Sequence, residues 1–356
     1  MKKYIGCDLH KKYAVFVVMD ERGKAEPPVQ VANDLLELRP YLRRLPAGAP
    51  VAVEASGSWY WFVDELEEAG FDVHLVHALE AKKRIGGRNK TDRKDATGLA
   101  RLLATGTLPE VWIPPAKLRD LRGLLRTRLA LRHHATTLKN RIHGALRRYG
   151  QYEAGEPHNL FAGKGRVQLS VYVSGLPEDT RLATRHEWEL VDTVEEHIRQ
   201  LEERIRSGVG QLGSVRLLKS LPGVGPILGP TIYLEIGDVH RFASPEKLAS
   251  YAGLTPTVHS SGGKTRMGPT PRAANHYLKW AFVEAANVIV MRKNRFQGTH
   301  VLDLYERLRS RKNYSKAVVA VARHLAEASW WMLTKKQTYR EPAPASIASS
   351  TNGSAR

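Results

Sequence analysis

The sequence holds a single cysteine, Cys7, in 356 residues. One thiol excludes an intrachain disulfide framework and a multi-thiolate zinc site. Cys7 lies inside an apolar run and reads as a small core residue rather than a nucleophile. Acids are few: 36 Asp and Glu stand against 55 Lys and Arg, giving a formal charge of +19 and a pI near 10.0. Such a field selects polyanionic partners, nucleic acid first among them. Long apolar runs are also lacking. The greasiest stretch, Trp280 to Met291, carries Glu284 and is too short to cross a bilayer. Asp8 and His10 interrupt any secretory-type apolar segment after Met1. The expectation is a cytoplasmic, nucleoid-associated protein with no membrane partner.

What is present divides the chain. Residues 4–9, 13–19 and 28–32 are β-branched or aromatic runs that predict three strands in a meander. A helix is expected from Leu35 to Leu45, a strand over 51–55, a helix from Trp59 to Ala69 and a strand over 72–77. A meander followed by alternating helix and strand predicts an α/β RNase H-like domain over residues 1–115, closed by Pro114-Pro115. Residues 92–104 read as a helix within it. Leu131, Ala135, Leu138, Ile142 and Ala145 then recur at alternating four and three residues, the seam of a coiled coil or helical hairpin. Residues 151–180 carry Gly and Pro and show no clear period. A Glu-rich amphipathic helix follows, with Leu190, Val194, Ile198, Leu201 and Ile205 on one stripe, and is expected to pack antiparallel to the basic helix. These segments form a helical connector over 116–207, ahead of a mostly α domain over 208–338 and a disordered Ser/Ala/Pro-rich tail over 339–356.

Four carboxylates carry the chemistry. Asp8 and Glu54 each close an apolar strand, where an acid is costly without a partner. Asp92 and Asp95 are three apart, on one face of a helix. Hard oxygen donors of this kind suit Mg²⁺ or Mn²⁺, and two such ions ~3.5–4 Å apart support in-line displacement at phosphorus. Arg88 and Lys90 lie in the basic stretch just before Asp92, and Arg126, Arg132, Lys139 and Arg141 decorate the connector; all are candidate phosphate contacts. Taken singly, each acid is equally a helix cap or a solvated side chain.

Two further stretches stand out. Leu217 to Pro226 places Gly223 and Gly225 between helical patterns, either a helix-hairpin-helix clamp on a nucleic-acid backbone or a tight turn between packed helices. It is not a Walker loop, since no Gly-Lys-Ser/Thr follows. Ser260 and Ser261 precede Gly262-Gly263, with Lys264 and Arg266 beyond. By composition alone that is a mobile loop, although nearby cations can clamp a phosphate for a serine.

The segments YIGCDLHKKYAVFVV, VAVEASGSWYW, RNKTDRKDATGLARLL, LKSLPGVGP, LASYAGLTPTVHSSGGKTRMG and ANHYLKW, in this order, resemble the DEDD transposases of the insertion sequence 110 family. The resemblance runs from about residue 3 to residue 335. It implies a RuvC-like N-terminal domain, a coiled-coil connector and a C-terminal transposase domain. Asp8, Glu54, Asp92 and Asp95 match the family's metal-binding acids, and Ser261 its catalytic serine, with Ser260 an adjacent rival. Gly268 to Arg272 departs from the family's more basic run. The resemblance further implies DNA as substrate, a bridge RNA as guide and a homo-oligomer, dimer or tetramer. Alternatives are a junction-resolving nuclease that uses water, and a non-enzymatic nucleic-acid-binding scaffold.

Overall fold

In the computed structural model the two β-branched runs at the start pair antiparallel as β1 (Lys3–Leu9) and β2 (Tyr13–Asp20), and β3 (Val29–Ala32) extends the sheet beyond β2. α1 (Leu35–Leu42) leads to β4 (Pro50–Glu54), which returns parallel to β1. α2 (Trp59–Glu68) leads to β5 (Asp72–Val76), parallel to β4. α3 (Ala78–Ile85) and α4 (Asp92–Ala104) follow, and β6 (Glu110–Val111) closes the edge antiparallel to β5. The strand order is β3-β2-β1-β4-β5-β6. The structure describes residues 2–86, 92–151, 159–261, 264–271 and 273–341.

Period-two alternation sorts this sheet into two faces. Ile5, Cys7 and Leu9 of β1 and Val51 and Val53 of β4 pack with Leu38, Leu42, Phe62 and Leu66 of α1 and α2. Tyr4 and Ala52 belong to the opposite face, with Leu99 and Leu103 of α4. Cys7 is fully buried, and burial pushes its thiol well above the usual range, as expected of a core residue.

The chain divides into two compact units, Met1–Ala116 and Lys117–Arg356. The second begins with the 33-residue α5 (Ala116–Arg148), followed by α6 (Lys164–Ser174) and α7 (Glu178–Ser207). α5 and α7 run antiparallel, as their charge pattern predicts. Arg128 pairs with Glu202, Arg132 with Glu195 at 2.8 Å, and Arg141 with Glu187 at 2.6 Å, so numbers rise on one helix as they fall on the other. α6 is a correction to the unpatterned reading of 151–180. Its valines alternate with polar residues and hide the helical period, but Leu169, Tyr172 and Val173 bury against Ile142, Leu146 and Val191. Tertiary packing overrides local propensity there.

Short helices α8 (Gly213–Leu218), α9 (Leu228–Ile236) and α10 (Pro245–Tyr251) come next, then a ribbon of β7 (Val258–Ser261) and β8 (Lys264–Met267). α11 (His276–Met291), α12 (His300–Arg309) and α13 (Tyr314–Lys335) complete the unit around a core that includes Phe282, Val321 and Leu325. The first three residues of the expected tail are held in place. The Tyr339 amide donates to Ser220 Oγ at 2.9 Å, and Glu341 accepts from the His300 amide at 2.8 Å. Residues 342–356 lie outside the described residues. No described helix is long and apolar enough to cross a membrane.

Candidate functional site

Asp8 and Glu54 occupy the carboxyl-terminal ends of adjacent parallel strands. The register Ile5↔Val51, Gly6↔Ala52, Cys7↔Val53 brings them to the same level, and alternation puts both on the face that α4 covers. Asp8 is buried, at 7% exposure, and its Oδ2 lies 3.2 Å from His10 Nε2. A carboxylate so placed requires a compensating partner.

A glycine brings α4 to this face. A Cβ on Gly6 would stand 2.0 Å from the Ala96 carbonyl oxygen and 2.6 Å from the Ala100 nitrogen, so only glycine allows the helix to lie on β1. Ala96 also packs with Val15 and Val17 of β2, while Leu99 and Leu103 lie towards Tyr4. α4 therefore runs opposite to β1, and its first turn, which carries Asp92 and Asp95, lies at the end where Asp8 and Glu54 sit. Among the described residues, no group of three or more His, Cys, Asp or Glu side chains closes into a coordination shell. The Asp92 side chain is outside that description. The carboxylate oxygens of Asp8 and Glu54 would suit a hard divalent cation and not a soft one.

Gly6→Ala is expected to lower stability by about 1–3 kcal/mol, because backbone cannot yield as a side chain does. It should also lift Asp92 and Asp95 away from Asp8. Urea unfolding measures the first effect; a midpoint equal to that of the unaltered protein would show that α4 is not seated on β1.

Ser260 and Ser261 lie in β7, so the stretch read as a loop is a two-stranded ribbon up to Ser261. Register pairs Ser261 with Lys264 and His259 with Arg266; Ser260 is paired with Thr265 and Val258 with Met267. Ser260 and Arg266 are exposed. The base of the segment is anchored between α10 and α11. The Asn275 amide donates to the Tyr251 carbonyl at 3.0 Å, and Asn275 Oδ1 caps α11 by accepting from the Leu278 amide at 2.9 Å. Asn275 Nδ2 donates to Glu235 Oε2 at 2.8 Å and to Tyr251 Oη at 3.3 Å. Glu235 is completely buried, yet Arg126 grips both its oxygens at 2.9 Å. Arg122 donates to the Leu234 carbonyl at 2.7 Å and the Glu235 carbonyl at 3.0 Å. Burial holds the Arg122 guanidinium below its ordinary value, with Glu235 opposing that shift. One buried carboxylate thus ties α5 to the base of the serine segment. Sequence reasoning missed Glu235, whose signal is a lone acid in the apolar run ILGPTIYLEIG.

The other residues singled out fall as follows. Arg126, Arg132, Lys139 and Arg141 each have an intramolecular acid, Lys139 reaching Glu195 at 2.7 Å. The spacing of Arg132, Lys139 and Arg141 is thereby explained as the charged rails of the α5–α7 pair, while Arg126 pairs with Glu235 of α9. Gly223 has φ +77°, and a Cβ there would meet the Ala285 carbonyl at 2.1 Å, so this glycine lets the turn pack on α11. Gly225 has open space around its Cα and accepts from the Gly229 amide at 3.0 Å as α9 begins. Arg88 and Lys90 lie outside the described residues, as does the Lys264 side chain.

Comparison with known proteins matches both units. Residues 5–151 fit a DEDD transposase model of the IS110 type, and residues 215–300 fit the model described as "Transposase IS116/IS110/IS902 family". The transposase of insertion sequence element IS1111A from Coxiella burnetii is 25% identical, over 95% of this chain and 91% of its own length. An uncharacterized 44.8 kDa protein of insertion element IS116 from Streptomyces clavuligerus is 28% identical over 96% of both chains. A pilin gene-inverting protein from Moraxella bovis is 29% identical over 59% of this chain and 57% of its own. With the sheet-end acids inside one matched region and the serine ribbon inside the other, the chain belongs to the IS116/IS110/IS902 family of transposases.

Proposed function

We propose that this transposase cuts and rejoins DNA through a RuvC-like, metal-dependent carboxylate site and a serine nucleophile, guided by a structured bridge RNA. One observation carries the reading: Asp8 and Glu54 end neighbouring parallel strands on the sheet face where the first turn of α4 brings Asp92 and Asp95. Ligands of α/β sheets gather at such strand ends. The strand order β3-β2-β1-β4-β5, with β2 antiparallel, supports the RNase H-like assignment.

In this proposal Asp8, Glu54, Asp92 and Asp95 hold Mg²⁺ or Mn²⁺, and His10 orients Asp8 through the 3.2 Å contact. When bound, the metal supplies Lewis-acid stabilisation of charge on the phosphoryl oxygens. The Ser261 hydroxyl attacks phosphorus and loses its proton. A bond from Ser261 Oγ to phosphorus forms, the bond to one deoxyribose oxygen breaks, and that oxygen is protonated as it leaves. A hydroxyl of a second strand then attacks the same phosphorus and loses its proton, the bond from Ser261 Oγ to phosphorus breaks, and Ser261 Oγ is protonated as it leaves. The family resemblance supports Ser261 over Ser260, since Ser261 stands five residues after Pro256 and directly before Gly262. The name of the pilin gene-inverting relative supports rejoining over cutting alone. The formal charge of +19 supports long contacts with DNA and RNA backbones. Assembly as a dimer or tetramer completes the reading.

Labelled DNA, the RNA transcribed from the flanking element and Mg²⁺ test it together. Ser261→Ala should abolish the protein–DNA adduct on a denaturing gel, and Ser260→Ala should retain it. Adduct lost only in Ser260→Ala moves the nucleophile by one residue. Cleaved DNA with free ends and no adduct from any variant replaces the reading with a water-using nuclease.

A further inference from the structure

Eight cations and two acids occupy the 25 residues from Arg292 to Lys316. All but the start of this stretch lies beyond the matched family region, which ends at residue 300. Arg292 caps α11, and Lys293 and Arg295 follow it directly. Arg307 and Arg309 are in the last turn of α12, Arg311 and Lys312 in the turn beyond, and Lys316 in the first turn of α13. Packing gathers these segments at one end of the helical unit. Tyr314 Oη donates to Asn287 Oδ1 at 3.0 Å, joining the start of α13 to the end of α11. The Tyr305 and Tyr314 rings lie 6.3 Å apart, and the Lys293 ammonium is 5.6 Å above the Tyr305 ring. Arg309 Nη1 donates to the Lys312 carbonyl at 3.2 Å.

All eight cations are exposed. Among the described residues, none forms a salt bridge, and Asp303 and Glu306 are the only acids in the stretch. Elsewhere in the same unit, Arg128, Arg132, Lys139, Arg141 and Arg166 each have an acid. Helix dipoles account for part of the cluster, since Arg292, Arg307 and Arg309 lie at helix carboxyl ends. They do not account for Lys316, which sits in a first turn where the dipole opposes a cation, nor for the charges in the two turns. Like charges crowded on a rigid end repel, and a polyanion relieves that repulsion.

From this we infer that the end of the unit formed by residues 292–316 is a docking surface for the phosphodiester backbone of duplex DNA. A duplex fits better than a single strand. The exposed aromatic residue in the stretch, Tyr314, has its hydroxyl held by Asn287 and its ring against Tyr305, so no free stacking platform for unpaired bases is offered. Contacts from these cations to phosphate oxygens position a duplex without reading its sequence directly. The inference deepens the proposed function by adding a DNA-holding surface apart from the carboxylates, and it rests on that reading for the choice of DNA.

The test is equilibrium binding of the full chain to a labelled DNA duplex without metal, over a salt series, with an RNA duplex in parallel. Substituting Arg295, Arg311 and Lys312 together by Gln should flatten the dependence of log K on log salt by about 2–3 for DNA, since each lost phosphate contact removes ~0.9. Glu306→Lys should steepen it by about 0.9. Thermal unfolding of both variants should match the parent, as exposed side chains are changed. Parental slopes for DNA in both variants overturn the inference, and so does a loss confined to the RNA duplex. Because binding is read without cleavage, failure here leaves the carboxylate site standing, and failure of the carboxylate site leaves this surface standing.

Discussion

Replacing Asp8 by Asn is expected to lower metal-dependent strand cleavage by about 10³-fold while leaving DNA binding unchanged. In the proposed site a bound divalent ion would stabilise transition-state charge by several kcal/mol, and about 4 kcal/mol of barrier corresponds to 10³ in rate. A structural role and a metal-binding role for Asp8 are separated by the effect of Mg²⁺ on stability. Asn keeps the volume of Asp8 and removes the charge that a divalent cation needs. Added Mg²⁺ should stabilise the parent and not the variant. Calorimetry with and without Mg²⁺ reads both effects. A variant that loses stability in metal-free buffer and cleaves at the parental rate would make Asp8 a structural acid and remove the basis of the catalytic proposal.

Glu235→Ala should destabilise the second unit by about 3–5 kcal/mol, because it removes the buried counter-charge that Arg126 and Arg122 share. In a unit of this size each kcal/mol shifts Tm by about 2–4 °C, so a fall of roughly 10 °C is expected. Asn275 loses one acceptor as well, which loosens the start of α11 and the anchorage of the serine segment. The double variant Glu235→Met with Arg126→Met should recover most of the lost stability, since an apolar pair of similar volume replaces two charges. If Glu235→Ala leaves Tm within 2–3 °C of the parent, the cluster of Arg122, Arg126, Glu235 and Asn275 does not anchor the segment.

Most helices and strands of the first unit are legible in the chain because each obeys one period; the short α3 and β6 were not read there. β1, β2 and β4 are β-branched runs, and α4 carries Ala96, Leu99, Ala100 and Leu103 on one stripe. The antiparallel match of α5 with α7 is legible for the same reason, since complementary charge and a shared apolar seam are written locally on each helix. α6 was not legible, because alternate valines imitate a strand until the neighbouring helices are known. Nor was the partner of the basic residues on α5. A run of arginines reads the same whether its counter-charge is a phosphate or a glutamate on another helix, and only packing distinguishes the two.

The amino-acid sequence by itself determined which residues are candidates for the chemistry: four acids at strand ends and on one helical turn, and a doubled serine beside cations. Side-chain type and local period are properties of short segments, so they survive without any knowledge of the fold. Tertiary structure alone decided that Asp8 and Glu54 share a level and a face, that Gly6 lets α4 carry Asp95 to the same end, and that buried Glu235 joins α5 to the base of the serine segment. Those relations depend on register and on the close approach of backbones, which join residues far apart in the chain and leave only a glycine or a lone buried acid as their trace in the sequence.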